Sequence, residues 1–183
     1  MKYLIACPGP SLTKEDIEYG KGKTDKLILV NGANALYPIS DSNITRYSSD
    51  AKWVRMYKHY DNIVCPFETE VTSERVDSER GRGFSTTVLR LGHCSGFAAV
   101  SLALLSGAKE IYLLGYDMGI IDNQAHFFGD YPETLHKKSP YEKFIEDFEV
   151  SKQDLSLFGA TIFNCTIGSK LITFPISNIR DVL

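Results

Sequence analysis

Apolar positions along the chain fall into two kinds of run. Short continuous runs of strand length lie at 2–6, 27–31, 62–65, 110–114 and 161–164, with a further candidate at 171–174. Between them, apolar residues recur with helical period at 11–19, 51–60, 95–106 and 140–158. Continuous apolar runs predict strands buried on both faces, and their alternation with helices predicts a parallel sheet covered on both sides. The run that opens Ser95-Gly96-Phe97-Ala98-Ala99-Val100 is apolar nearly all round, so its helix belongs in the core, whereas 140–158 is amphipathic with a charged outer face. The expected fold is α/β, a single Rossmann-like three-layer domain over residues 1–183 with a mostly parallel sheet.

One stretch breaks the pattern. Residues 66–90 are polar, rich in Glu, Ser and Arg, with Gly81-Arg82-Gly83 near the centre. A segment of that length without clear periodicity reads as a mobile lid or a subunit contact, or as a short hairpin. A homo-oligomer is compatible with the second of these.

Composition narrows the function classes. A net charge of −3 gives no basic footprint of the kind nucleic acid requires, so no nucleic-acid partner is expected. The cysteines Cys7, Cys65, Cys94 and Cys165 are scattered, with no Cys-x-x-Cys and no zinc-ligand spacing, which reads as reduced thiols and no metal ligands. Pro8 and Pro10 interrupt the first apolar run where a signal peptide would continue, and no run is long enough for a transmembrane segment. The expected location is cytoplasmic.

The candidate chemistry sits at the strand ends. Cys7-Pro8-Gly9-Pro10-Ser11-Leu12 joins the first strand to a helix, a turn that would offer backbone N–H groups and a helix dipole to a phosphate. It also reads as a plain tight turn with Ser11 as the helix N-cap. A branched side chain at Gly9 would then be expected to block the phosphate and spare the fold. The second strand ends Asn31-Gly32-Ala33-Asn34; Asn31 reads as a ligand of a base or ribose, and Asn34 equally as ligand or turn former. Gly92-His93-Cys94-Ser95-Gly96 forms a second anion cradle at the head of the buried helix, or else lets helix and sheet approach closely, and His93 reads first as a structural donor. Asp117, past the strand 110–114, is placed to bind a hydroxyl or a metal. His136, followed by Lys137 and Lys138, is a candidate general base beside cations that suit a phosphate. Asn164-Cys165-Thr166-Ile167-Gly168-Ser169 is a further polar strand end.

The order of these motifs resembles a known pattern. The Cys-Pro-Gly-Pro-Ser-Leu turn, Val30-Asn31, Cys94-Ser95-Gly96 and above all Lys109-Glu110-Ile111-Tyr112-Leu113-Leu114-Gly115-Tyr116-Asp117 are similar to the bacterial sialyltransferase-like family that builds lipo-oligosaccharide. They are also similar to the 6-hydroxymethylpterin diphosphokinase-like family and to short single-domain relatives, some phage-encoded. The resemblance covers most of the chain outside 39–90. It implies that Gly9, Ser11, Asn31, Ser95 and Gly96 contact a nucleotide, cytidine monophosphate in the sialyltransferases, and that His136 is the base for an acceptor hydroxyl. Two departures stand out: Pro8 occupies a position where the family usually has Asn, and Gly119 supplies no phenol where the sialyltransferases have tyrosine, leaving Tyr131 as the substitute.

These readings together predict a nucleotide-dependent transferase, a glycosyltransferase that moves a sugar from a nucleotide to a small-molecule or glycan acceptor. The nucleotide-binding set is Gly9, Pro10, Ser11, Asn31, Ser95, Gly96 and Asp117, with His136 catalytic. The alternatives are an ATP-using diphosphokinase-like transferase with Mg2+ on Asp117, and a nucleotide-binding protein without catalysis.

Overall fold

The alternation of side chains along the first strand already dictates two covered faces. In β1 (Lys2–Ala6), Tyr3 and Ile5 belong to one buried cluster, Leu4 and Ala6 to another. The computed structural model describes residues 1–37, 42–57, 59–60, 63–67, 73–135 and 138–183. Its further strands are β2 (Lys26–Val30), β3 (Ile44–Tyr47), β4 (Ile63–Cys65), β5 (Ser73–Arg75), β6 (Ser78–Glu79), β7 (Leu89–Arg90), β8 (Glu110–Leu114) and β9 (Thr161–Asn164). The helices are α1 (Lys14–Lys21), α2 (Ala51–Met56), α3 (Ser95–Leu105), α4 (Tyr141–Ser151), α5 (Leu155–Phe158) and α6 (Ile179–Val182), with 3-10 turns at Asn31–Leu36 and Lys152–Asp154.

The main sheet has the order β5-β4-β3-β2-β1-β8-β9, and all its pairings are parallel. From β1 the chain works outward through β2 to β5, then returns to add β8 and β9 on the other side of β1. That reversal opens a crevice at the carboxyl ends of β1 and β8, where open α/β sheets bind ligands. One face is covered by α3 and α4: Phe97 stacks on Phe84 at 4.9 Å between ring centroids and meets Phe148 edge-on at 5.2 Å. The other face carries Leu12, Ile17 of α1 and Ile179 of α6. The protein is thus an α/β, Rossmann-like three-layer domain.

Several elements differ from expectation. The first helix starts at Lys14 and is capped by Thr13, whose hydroxyl accepts the Asp16 N–H at 3.1 Å, so Ser11 is not the N-cap. The segment 171–174 forms a turn rather than a strand, although Leu171 and Phe174 are buried. β3 escapes a hydrophobicity reading because Arg46 sits inside it. That guanidinium is buried, donates to Asn34 Oδ1 at 2.8 Å and to the Tyr37 carbonyl at 3.1 Å, and faces the Tyr60 ring. The helical pattern at 140–158 divides into α4, a 3-10 turn and α5.

The described part of 66–90 is neither a hairpin nor, around its glycines, a loose lid. β6 and β7 pair in parallel, Phe84 is buried, the Gly83 N–H donates to Ser151 Oγ at 3.0 Å and the Phe84 N–H to Asp154 Oδ2 at 2.9 Å. Arg82 forms a forked pair with Glu146 on α4, at 2.5 and 2.9 Å. Among the described residues no helix is long and apolar enough to cross a membrane.

Candidate functional site

The crevice at the strand-order reversal is a cleft of about 620 Å3, within the range of small-molecule sites. Gly9, Pro10, Asn31, Ser95, Gly96 and Asp117 all line it, although they come from four separate strand ends. Ser11 stands behind the wall, where its N–H donates to Asp117 Oδ2 at 3.5 Å. His136 lies outside the described residues. Arg80 and Lys138 add positive charge to the lining, and Asp50 a second carboxylate.

The turn after β1 is built differently from the cradle its sequence predicts. Pro8 and Pro10 carry no N–H, the Cys7 N–H goes to Leu114, Gly9 to Gly115 at 3.2 Å and Leu12 back to Gly9. Every backbone donor from Cys7 to Leu12 therefore has an acceptor inside the protein. A Cβ on Gly9 would fall inside the contact radius of Asp117 Oδ2 and the Gly115 carbonyl oxygen. The glycine thus lets two strand-end loops touch, and a branched residue there would strike the fold itself before it met a ligand. The turn forms a wall of the cleft rather than a set of donors. α1 adds little to it, because Glu15 and Asp16 in its first turn already answer the dipole.

The head of α3 does offer donors. Cys94 is the N-cap, and no acid lies in the first turn. Among the described residues the Ser95 N–H has no acceptor, and the Gly96 and Phe97 N–H groups meet only the Cys94 sulfur, a weak acceptor, at 3.4 Å for Phe97. Burial pushes the Cys94 thiol up to about 12, so it stays protonated. The Ser95 hydroxyl is occupied by Ser49, 2.8 Å from Ser49 Oγ and accepting the Ser49 N–H at 3.1 Å, which ties the helix head to the end of β3. Gly96 is small for contact: a Cβ there would stand 2.9 Å from Cys7 Sγ and 3.2 Å from the Tyr116 ring.

The other walls have specific geometry. Asn31 sits at φ +47°, a left-handed conformation Asn tolerates, and its Oδ1 is buried with no partner among the described residues. A buried amide oxygen without a donor is the kind of atom that a ligand N–H or hydroxyl satisfies. Asn34 is settled as structural, giving its amide protons to the Leu29 and Asn31 carbonyls and its oxygen to Arg46. Asp117 follows Gly115 at φ +68° and precedes Met118 at φ +53°, a strained backbone for a bulky residue. Desolvation raises the Asp117 carboxyl above its ordinary value, with hydrogen bonds from Ser11 opposing the shift. That disfavours the ionised form a Mg2+ ligand needs, and among the described residues no group of three or more His, Cys, Asp or Glu could hold a metal. Tyr131 accepts the Gly32 N–H at 2.8 Å through its phenol oxygen, which keeps its own hydrogen to donate; burial raises its pKa.

Two groups were not legible as partners in the sequence. Asp147 is fully buried on α4, and it receives the His93 backbone N–H at 2.7 Å and faces His93 Nδ1 through both carboxylate oxygens at 3.0 Å. Arg82 Nε lies 3.3 Å from the same carboxylate. The only linear trace of this is an acid in the core-facing stripe Phe144, Asp147, Phe148, Ser151, among residues that are otherwise apolar or small. The polar strand end 164–169 proves structural. Asn164 spans Leu171 and Thr166, Thr166 holds the Tyr116 N–H, Ser169 holds the Tyr116 carbonyl, and none of them lines the cleft.

Beside the cleft lies a second recess of about 600 Å3 that shares His126, Tyr131 and Lys138 with it and adds Lys170. No family model, no curated protein and no solved structure matches the chain.

Proposed function

We propose that the chain is a nucleotide-dependent transferase that moves a sugar from a nucleotide donor to a small-molecule or glycan acceptor. The observation that carries this reading is the α3 head: an acid-free helix N-terminus, with the Ser95 N–H lacking an acceptor among the described residues, opens into a strand-reversal cleft that is also lined by Asn31 with its unpartnered oxygen. Phosphate would rest on the Ser95 and Gly96 amides with Arg80 and Lys138 nearby, and Asn31 would meet the base or ribose. The adjoining recess supports two substrates meeting at a shared wall, where the Tyr131 hydroxyl can donate to a departing phosphate. Sequence resemblance to sialyltransferase-like proteins points to the same chemistry.

The test is a thermal-shift screen with CMP, UDP, GDP and ATP, and with CMP-, UDP- and GDP-activated sugars, with and without Mg2+. Stabilisation by a sugar nucleotide beyond that by its bare nucleotide is the expected result. Stabilisation confined to ATP with Mg2+ would replace this reading by diphosphate transfer through Asp117, and binding of bare nucleotides without turnover would leave a binding protein.

A further inference from the structure

The cleft contains a second, fully built arrangement that the nucleotide reading does not use. His93 ends the loop entering α3, and its side chain is 41% exposed on the cleft wall, while Asp147 beneath it is 0% exposed. The carboxylate is bound three ways: by the His93 backbone N–H, by His93 Nδ1 and by Arg82 Nε. A carboxylate this buried is retained only when compensated, and here the compensation fixes the imidazole. Gly92 makes the approach possible. Its φ of +52° is left-handed, and a Cβ would stand 2.8 Å from Asp147 Oδ2. With Nδ1 held as the donor to Asp147, the neutral ring carries its lone pair on Nε2, which has no partner among the described residues. A buried acid that orients a cleft-lining histidine whose far nitrogen has no partner among the described residues is the geometry of general-base catalysis.

We infer that His93 is the general base of this cleft and that Asp147 is its positioning residue; the sugar-transfer form of the step rests on the function proposed above. The acceptor O–H gives its proton to His93 Nε2 while its oxygen bonds to the anomeric carbon. The bond from that carbon to the phosphate oxygen breaks, and the nucleotide leaves with the electron pair, its new charge facing the α3 amides next to His93. Base and phosphate donors thus come from one short segment, 93–96. The charged and titratable groups around the ring are Asp147 and Glu146 on α4, Arg82 and Arg80 from the segment after β6, the neighbouring Cys94, and Asp117 and Lys138 across the cleft.

The decisive variant is His93→Asn, whose side-chain amide stands where Nδ1 stands, so it keeps the tie to Asp147 and removes Nε2. Turnover of the sugar nucleotide found by the screen should fall 10²- to 10⁴-fold, with nucleotide Kd within about twofold of the parent. Asp147→Asn should lower kcat with KM nearly unchanged and release the fixed Nδ1–H tautomer of His93 in the 15N-histidine spectrum, which a merely structural role would not do. Full turnover in folded His93→Asn, or the loss appearing in His136→Ala instead, overturns the inference. Should no sugar nucleotide turn over, the functional reading fails and the His93 inference is decided without it. In the full chain labelled with 15N-histidine, His93, identified by the signals lost in His93→Asn, should be the Nδ1–H tautomer with a bare Nε2. Diethyl pyrocarbonate should acylate that nitrogen at neutral pH. An Nε2–H tautomer, or a His93 resistant to acylation, refutes it.

Discussion

Two segments of this protein look alike as sequence and do opposite work. Cys7-Pro8-Gly9-Pro10-Ser11 and Gly92-His93-Cys94-Ser95-Gly96 are both small-residue turns that lead into a helix beside the same cleft. In the first, the N–H groups are consumed by the end of β8, the loop after it and the turn itself, the helix begins two residues beyond Leu12, and its first turn carries its own acids. In the second, the helix starts at once from Cys94, no acid answers its dipole, and the Ser95 N–H is open. A glycine-bearing turn before a helix is therefore not an anion site until the fate of its donors is known. The nearest competitor for them is the adjacent strand's carbonyl.

The sharpest break between the two segments should come from adding one methyl group to each glycine. Gly9→Ala should cost about 3 kcal/mol in urea denaturation, because the Cβ meets backbone and a buried carboxylate that have no room to yield. Gly96→Ala should cost about 1 kcal/mol, its neighbours being a cysteine sulfur and a ring edge that can give slightly. Equal costs would mean that the β1 turn is not the rigid wall described here.

The next effect separates donors from wall. Ser95→Asp puts a carboxylate at the α3 head and should weaken the proposed nucleotide binding at least tenfold, about 1.4 kcal/mol, by isothermal titration. Ser11→Ala should leave the affinity within about twofold, since the Ser11 backbone N–H already serves Asp117. The reverse ranking would return the cradle to the first turn.

The smallest effect concerns the residue that joins the two loops at the strand reversal. The Asp117 carboxyl is raised in the fold, so the native state disfavours its ionisation. Its contribution is favourable below the unfolded carboxylate value near 4, and declines as pH rises through the folded one. Asn does not titrate, and its oxygen can still accept the Ser11 N–H. The stability of Asp117→Asn relative to the parent should therefore grow as pH rises above about 4 in denaturation curves. A difference that stays flat with pH would show that the carboxyl is not desolvated.

Where the sequence was readable, local physics was sufficient. β1, β2 and β8 follow from uninterrupted apolar runs, and α3 from a helix apolar nearly all round, because elements buried on both faces need no partner's identity to declare themselves. From these runs the parallel α/β sheet, its two covered faces and the gathering of Gly9, Asn31, Ser95, Gly96 and Asp117 at one edge could be deduced. The misses were polar segments whose burial depends on distant partners. Arg46 lies inside β3 because Asn34 and Tyr37 take its protons, and Phe84 is core because Phe97 lies beneath it. Tertiary structure alone decided which turn keeps its donors and that Asp147, fifty-four positions from His93, holds its ring toward the cleft. Hydrophobic period records how a segment faces the core. A hydrogen bond between residues far apart in the chain leaves no period, and exists only once the layers have packed.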